Sequence, residues 1–260
     1  MNAAFLFLIG ATVGGYGTII GAGGGFLLVP LLLAMFPAAN VTMVTSLSLS
    51  VVAVNAFSGT LAYAYQRRID YRLAVTLAAV TVPGAMLGAA VTGFIPRALF
   101  ETVFGITLIV LAATLIHRPT RGARVLASAA PEGKRIDARR FQLGLALSGA
   151  VGWLGGVLGI GGAPPQVVVL THVMHVPVAR AMPTVQFLVL FSALGAVAIH
   201  VGAGDFGASP MWTLWLGAGA LAGAQVGAAI SGRLSGAALV RLLAAALLAV
   251  GVGLLVKAAR

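Results

Sequence analysis

Long apolar stretches separated by short polar turns run from one end of the chain to the other. Eight of them are near or above the ~20 residues that a helix needs to cross ~30 Å of hydrocarbon. They cover approximately residues 3–36, 42–65, 72–94, 97–117, 141–171, 182–201, 211–231 and 236–256. Apolar segments of this length predict membrane-spanning helices. We therefore expect an all-α membrane protein.

The composition excludes most classes of soluble protein. Hydrophobic residues make up 60% of the chain and charged residues only 8%, against about 45–50% and 25% in a soluble domain. The net charge of +11 would indicate nucleic-acid binding in a soluble protein. However, no basic run is interleaved with aromatic residues, so we expect no nucleic-acid partner. The partner that this composition predicts is the lipid bilayer.

One polar stretch divides the chain into two halves. Residues 118–140 contain seven lysines and arginines and two acidic residues. A segment this short and charged cannot bury a core of its own, so we interpret it as a basic cytoplasmic linker. A binding site for a regulatory partner is the alternative interpretation. The predicted organisation is an N-terminal transmembrane repeat at 1–117, the linker at 118–140 and a C-terminal transmembrane repeat at 141–260.

Glycine motifs recur at a constant spacing in the two halves. The motifs GAGGG at 21–25 and GIGGA at 159–163 lie 138 residues apart, and the pair Gly84 and Gly88 precedes the pair Gly223 and Gly227 by 139 residues. A duplicated unit of four hydrophobic segments explains this spacing. Either motif alone is weak, because small residues four positions apart are common wherever membrane helices pack closely.

The charge of the loops predicts how the two repeats are oriented. The loop after the second segment carries Arg67, Arg68 and Arg72, whereas its counterpart in the other half carries only Asp205. Because basic loops stay in the cytoplasm, the reversed charge favours inverted repeats with both termini outside. Eight full spans with both termini inside remain the alternative. Tyrosines beside the basic loop, among them Tyr63, predict an aromatic belt at the membrane interface.

The first segment of each repeat, 3–36 or 141–171, is too long for one ordinary span and is interrupted by glycines. Glycine destabilises a helix interior and proline removes a backbone donor, so both segments are predicted to be broken or re-entrant helices. Unwound backbone at membrane depth is tolerated where protein encloses it or where it lines a watery cavity. We therefore predict a binding site shaped by Gly21, Gly23, Gly24, Gly25, Gly159, Gly161 and Gly162. Tight helix packing is the other explanation of these glycines.

A small oxyanion is the ligand that suits such a site. A helix that starts after each break presents unpaired N–H groups and the positive end of its dipole. Hydroxyl and amide side chains in the following segment can bind an anion without a buried arginine. The candidates are Thr45, Ser46, Asn55, Thr184 and Gln186. At the 138-residue spacing, Thr45 and Ser46 align with Pro183 and Thr184. Hydrogen bonds between helices are the alternative role of these side chains.

The remaining ionisable residues form no reactive constellation. His172 and His175 have helical spacing, but no third ligand accompanies them, so we predict no metal site. No nucleophile, base and orienting group are assembled, and we predict neither an enzyme nor a cofactor. Glu101 lies four residues after Arg97, which predicts an ion pair on a helix surface. His200 is interpreted as a hydrogen-bonded residue, with a pH-sensitive role left open.

The glycine motifs and the segments after them carry a resemblance to a known family. The stretches GAGGGFLLVPLLL at 21–33 and VTSLSLS at 44–50, with GGVLGIGGAPPQVVVL at 155–170 and PTVQF at 183–187, resemble the sulfite exporter TauE/SafE family of membrane permeases. The similarity extends over essentially the whole chain. The second half departs from the usual family motif at Ala163, Pro164 and Pro165, and at Pro183, which precedes Thr184.

The resemblance implies a multi-pass protein of the bacterial inner membrane. Its implied function is transport of sulfite, sulfoacetate or other organosulfonates, in the direction of export, and alternating access is the mechanism we prefer. An anion channel and a non-transporting scaffold or sensor are the alternatives. A coupling ion, proton or sodium, and a homodimer stay open.

Overall fold

The computed structural model describes residues 2–117, 137–206 and 210–258. Within these residues the chain forms ten α-helices and no strand. The helices are α1 (Ala3–Ile19), α2 (Gly25–Met35), α3 (Val41–Tyr65), α4 (Tyr71–Val91), α5 (Arg97–His117), α6 (Ala138–Val157), α7 (Ala163–Val168), α8 (Val178–Ala203), α9 (Pro210–Ser231) and α10 (Gly236–Ala258). A 3-10 turn at Thr92–Phe94 follows α4, and a π-helical segment at Val169–Val173 follows α7.

The predicted all-α membrane protein is confirmed. Among the described residues, six helices are long and apolar enough to span a membrane: α3, α4, α5, α8, α9 and α10. The shorter apolar helices α1 and α2 occupy the long first stretch of the predicted N-terminal repeat. Most of the predicted linker, residues 118–136, lies outside the described residues. The helix α6 begins at Ala138, three residues before the predicted start of the C-terminal repeat.

The first helix of each half packs against the third hydrophobic segment of the other half. Gly219 and Gly223 of α9 pack directly on the backbone of Phe7 and Ala11 of α1, so α1 and α9 run in parallel. The helices α6 and α4 pair in the same way, through Gly84 on Gly149 and Gly88 on Trp153. A Cβ at Gly223 or Gly88 would overlap a backbone carbonyl of the partner helix. These glycines therefore permit close helix packing, as small residues do in membrane proteins.

The first full span of each half, α3 or α8, crosses the centre of the molecule. At one end, the Ser46 hydroxyl donates to the Asp205 carbonyl. At the other end, the Thr184 hydroxyl accepts from the Asp70 amide. The two helices are therefore antiparallel, although they occupy equivalent places in their halves. This geometry supports an inverted relation between the repeats.

The two ends of the bundle differ in the parts of the chain that they hold. The end that holds the α3–α4 loop and the start of α8 also holds the end of α5 and the start of α6, and we call it the linker end. The opposite end, with the start of α1 and the α8–α9 loop, is called the terminal end. The ring of Phe36, just after α2, stacks on Trp212 of α9 with centroids 4.6 Å apart. Because Trp212 lies level with the start of α1, α2 returns to the end from which α1 enters.

Candidate functional site at the two helix breaks

The first break is built from glycines with left-handed backbone. The helix α1 ends at Ile19, and Gly21, Gly23 and Gly24 have φ angles of 64°, 67° and 75°. Glycine adopts this conformation without the steric cost that a Cβ brings. The backbone of Gly24 then packs directly against Gly17, which requires the chain to fold back along α1. The predicted broken helix at the first motif is therefore present, and it is re-entrant.

The second break repeats this geometry. Gly159, Gly161 and Gly162 have φ angles of 69°, 66° and 77°, and Gly162 packs against Gly155. Two prolines, Pro164 and Pro165, occupy the first turn of the six-residue helix α7. Proline has no backbone N–H. The N-terminus of α7 therefore offers fewer N–H donors to an anion than we expected from the sequence.

The two breaks meet at the centre of the molecule. A Cβ built on Gly25 would lie 2.9 Å from the Ile160 Cα and 3.4 Å from the Gly159 carbonyl oxygen. Val52 of α3 and Val189 of α8 both border the two breaks. All the predicted site glycines are buried. In this conformation the breaks are closely packed, instead of lining the hydrated pocket that the sequence led us to expect.

Two cavities lie at opposite ends of the α3–α8 pair. The terminal vestibule, of ≈ 410 Å³, is lined by residues 38–40, 42–43 and 204–205. The linker vestibule, of ≈ 440 Å³, is lined by residues 67–71 and 179–180. Each is formed by the start of one central helix and the loop that follows the other. Neither vestibule is lined by a residue of the glycine breaks.

Three of the predicted binding side chains are engaged in hydrogen bonds to backbone. Thr45 donates to the carbonyl of Val41 within α3. Ser46 bonds to the carbonyls of Met43 and Asp205. Thr184 donates to the carbonyl of Arg180 and accepts from the Asp70 amide. In this conformation, Ser46 connects α3 to the loop after α8, and Thr184 connects α8 to the loop after α3.

Two side chains of α3 connect it to the breaks. The Asn55 amide nitrogen donates to the Gly23 carbonyl at 3.2 Å, and its oxygen accepts from the Thr18 hydroxyl at 3.2 Å. Ser48, which we did not select as a site residue, donates to the Gly159 carbonyl at 2.8 Å. The only signal for Ser48 in the sequence is its place in the polar run after the first break. The two residues therefore hold carbonyls that the unwound backbone leaves without a helical partner.

Gln186 is the predicted binding residue whose polar atoms remain free. Its side chain is fully buried beside Gly59 of α3, and among the described residues neither amide atom has a hydrogen-bond partner. Gln166 of α7, which sequence reasoning missed, donates to Ser148 at 2.8 Å, but its oxygen is also unpartnered. Buried amides without partners are costly and rare, so they mark positions where a ligand or water completes the structure.

The alignment of the two halves differs by one residue from our sequence interpretation. Gly21 packs against Met182, and in the other half Gly159 packs against Thr45. The equivalent of Thr45 is therefore Met182 at a spacing of 182 − 45 = 137 residues, and not Pro183. The same spacing makes Ser192 the counterpart of Asn55. The hydroxyl of Ser192 is buried without a partner among the described residues, whereas Asn55 makes two hydrogen bonds.

Tyr63 does not belong to an aromatic belt at the interface, and this prediction was wrong. Its side chain is fully buried, and its hydroxyl donates to the Thr18 carbonyl at 2.7 Å. The guanidinium of Arg68 lies over its ring at 5.3 Å. Tyr65 is 82% exposed, as an interfacial residue would be. The difference follows from helix geometry, because residues two positions apart face different sides of a helix.

The predicted ion pair between Arg97 and Glu101 is confirmed, with a distance of 2.9 Å. Arg97 also donates to the carbonyls of Leu33 at 2.8 Å and Ala39 at 3.0 Å, at the end of α2. Helix ends leave carbonyls unpaired. Arg97 therefore holds the re-entrant helix in place at the terminal end, a role that its spacing from Glu101 did not indicate.

His200 is hydrogen-bonded, as we interpreted it from the sequence. It lies fully buried in the last turn of α8, and its Nδ1 is 2.8 Å from the Asp205 carboxylate. Within the described residues, no group of three or more His, Cys, Asp or Glu side chains is placed to hold a metal ion.

Comparison with known proteins agrees with this architecture. The family described as "Sulfite exporter TauE/SafE" matches residues 6–254. The chain belongs to the sulfite exporter TauE/SafE family. The TauE/SafE chain is 27% identical over 265 residues to "Probable membrane transporter protein YunE" of Bacillus subtilis, covering 96% of each chain. No solved structure matches it.

A second relative is named a probable membrane transporter protein of Methanocaldococcus jannaschii. The two chains are 26% identical over 209 residues, which are 78% of this chain and 73% of the relative. The family and both names identify the protein as a multi-pass membrane transporter. The names agree with our prediction that it is not an enzyme.

Proposed function

We propose that this TauE/SafE protein transports small sulfur-containing anions, such as sulfite, sulfoacetate or another organosulfonate, across the bacterial inner membrane. The observation that carries the proposal is the meeting of two re-entrant breaks at the centre, between two vestibules at opposite ends. A site between two inverted repeats can be exposed to one side of the membrane at a time when the repeats move relative to each other. The close packing of the breaks against Val52 and Val189 favours such a carrier over a continuously open channel.

The anion binds beside the breaks, with Gln186 as its main polar contact. The free amide of Gln186 offers two N–H donors in a buried position. The glycines of the breaks allow the anion to approach the backbone. Asn55, Thr45, Ser46 and Thr184 shape the site through their hydrogen bonds, and they contact the anion only after the halves move.

The charges of the two vestibules support transport in the direction of export. Arg67, Arg68 and Arg180 outnumber the single acidic residue Asp70 in the lining of the linker vestibule, whereas Asp205 is the charged residue that lines the terminal vestibule. Because basic residues mark the cytoplasmic side, the linker end faces the cytoplasm. A cationic vestibule there raises the local concentration of anions before they enter. An acidic group at the opposite vestibule favours their release.

Exchange of radiolabelled anions in proteoliposomes tests this function. Sulfite, sulfoacetate, thiosulfate, sulfate and methanesulfonate are compared, and we expect saturable exchange of at least one of them. The substitution Gln186→Met keeps the volume but removes the amide, and it is expected to raise KM at least tenfold. Gln225→Met is the matched control, because Gln225 of α9 is exposed and its amide already bonds to Ser58. Equal KM values for the two folded variants would refute the assigned site.

A further inference from the structure

Two equivalent pairs of residues, one at each end of the central helices, carry charges of opposite sign. At the 137-residue spacing, Tyr63 and Arg68 of the linker end correspond to His200 and Asp205 of the terminal end. The linker end therefore holds a permanent cation over an aromatic ring. The terminal end holds a carboxylate against an imidazole, a pair whose total charge changes when the imidazole takes up a proton.

The surroundings of His200 isolate this pair from other titratable groups. Residues 41–62 of α3, 73–91 of α4 and 210–231 of α9 contain no titratable side chain. Arg97 of α5 reaches the rim of the terminal vestibule, where it bonds to the Ala39 carbonyl, and it is paired with Glu101. On α10, Arg241 is exposed and lies near the start of the helix, at the linker end. Among the described residues that line the terminal vestibule, Asp205 alone carries a charged side chain.

Hydrogen bonding determines where a proton adds. Because the carboxylate of Asp205 accepts at Nδ1, the neutral imidazole carries its hydrogen there and keeps a lone pair on Nε2. The Nε2 atom is buried without a partner among the described residues. Proton uptake at Nε2 forms an imidazolium, and the Nδ1–H remains on Asp205. The pair then changes from a net charge of −1 to zero, with no other bond made or broken.

The pair is also connected to the contact that closes the terminal end. The Asp205 amide donates to the His200 carbonyl at 3.0 Å, and the Asp205 carbonyl accepts from the Ser46 hydroxyl of α3. The side chain of Asp205 is 27% exposed and lines the terminal vestibule. An anion that enters from this end therefore meets a carboxylate whose charge is balanced only when His200 is protonated.

We propose that His200 and Asp205 form a proton-binding site that controls the affinity of the terminal vestibule for anions. This inference rests on the proposed transport of anions. The deprotonated pair repels anions and favours their release, whereas the protonated pair admits them. Because linkage is reciprocal, a proton and an anion increase each other's binding at this end.

The test measures KM on the terminal side of vesicles of known orientation, at different pH values on that side. The anion is methanesulfonate or, if methanesulfonate is not exchanged, another anion of the screen whose charge is constant over this range. Methanesulfonate keeps a charge of −1 across the range. For the unsubstituted protein, we expect KM to fall by about tenfold between pH 8 and pH 5.5, within the usual range of coupling between sites. A KM that is independent of pH, with saturable exchange intact, would overturn this inference alone. Absence of saturable exchange for every anion in the screen would overturn the proposed function as well.

Two substitutions separate a charge effect from damage to the structure, because they are expected to act in opposite directions. His200→Gln removes the imidazole that would balance the Asp205 carboxylate, so KM stays high at both ends of this pH range. Asp205→Asn removes the negative charge, so KM stays low even at pH 8. His175→Asn is the matched control: His175 lies in a loop with φ 57°, which asparagine tolerates, and its pH dependence should match that of the unsubstituted protein. Variants that shift KM in the same direction would contradict the proposal.

A direct measurement covers the case in which the variants do not fold. The imidazole nitrogens of histidine, labelled with ¹⁵N in the otherwise unsubstituted protein, report protonation at Nε2 by their chemical shift. We expect one buried histidine to take up a proton at Nε2 as pH falls from about 8 to 5, and the added methanesulfonate to move this titration to higher pH. A His200 signal that stays unprotonated over this range would overturn the proposal.

Discussion

The link between α3 and the first break is the contact whose energy can be measured most cleanly. Asn55 bonds to Gly23 and Thr18, and all three groups are buried. Asn55→Ala removes two hydrogen bonds, each worth about 1 kcal/mol, and leaves the Gly23 carbonyl without this partner, at an additional cost of about 1 kcal/mol or more. We therefore expect the free energy of unfolding to fall by about 2–4 kcal/mol.

The repeat supplies a matched control for this substitution. Ser192 occupies the equivalent position in α8, is equally buried, and has no hydrogen-bond partner among the described residues. Ser192→Ala removes a buried hydroxyl that gains nothing from the folded state, so the free energy of unfolding should change by less than about 0.5 kcal/mol or rise. The comparison therefore isolates hydrogen bonding from truncation of a side chain on a central helix.

Unfolding of the purified protein by increasing SDS in mixed micelles measures both changes. A double-mutant cycle with Thr18→Val then isolates the bond between Thr18 and Asn55. Within membrane proteins such bonds average about 0.6 kcal/mol and reach about 1.7 kcal/mol, so the two substitutions together should cost less than their sum by that amount. The reasoning is refuted if Asn55→Ala costs no more than Ser192→Ala.

Three further predictions address packing, the re-entrant helix and the linker vestibule. Gly88→Ala is expected to lower the SDS concentration at the unfolding midpoint, because the added Cβ would overlap the Trp153 carbonyl. In the control Gly253→Ala the added Cβ meets open space, so the free energy of unfolding should rise by about 0.5–1 kcal/mol. Similar midpoints for the two variants would contradict this prediction. Arg97→Lys is expected to lower the free energy of unfolding by about 1–2 kcal/mol in the same assay. One ammonium group cannot replace the planar guanidinium, which bonds to Leu33, Ala39 and Glu101. An unchanged midpoint would show that these bonds do not contribute to stability. Arg180→Gln is expected to raise KM for anions that enter from the linker end, and the increase in KM should be smaller at high salt. The control is Arg72→Gln, because Arg72 lies outside the lining of the linker vestibule. Equal KM values for the two variants would exclude electrostatic steering by Arg180.

Much of the architecture could be predicted from the order of residues alone. Long apolar segments must form helices in lipid, because every backbone N–H and C=O needs a partner there. The breaks at 21–25 and 159–163 were predictable for the same local reason, since consecutive glycines destabilise a helix wherever they stand. The duplication was visible because it repeats local motifs at a nearly constant spacing. None of these features depends on which helix packs against which.

The tertiary structure decided which polar side chains form hydrogen bonds within the protein and which have no partner among the described residues. Asn55 and Gln186 were equally plausible binding residues in the sequence, but Asn55 bonds to Gly23 while both amide atoms of Gln186 are unpartnered among the described residues. Tyr63 and Tyr65 looked alike, yet one is buried against Thr18. The packing of α3 against α1 and the first break, and of α3 against α8, is what sets these partners. Hydrogen bonds act over about 3 Å, and residues on different helices come within that distance only after the helices have packed.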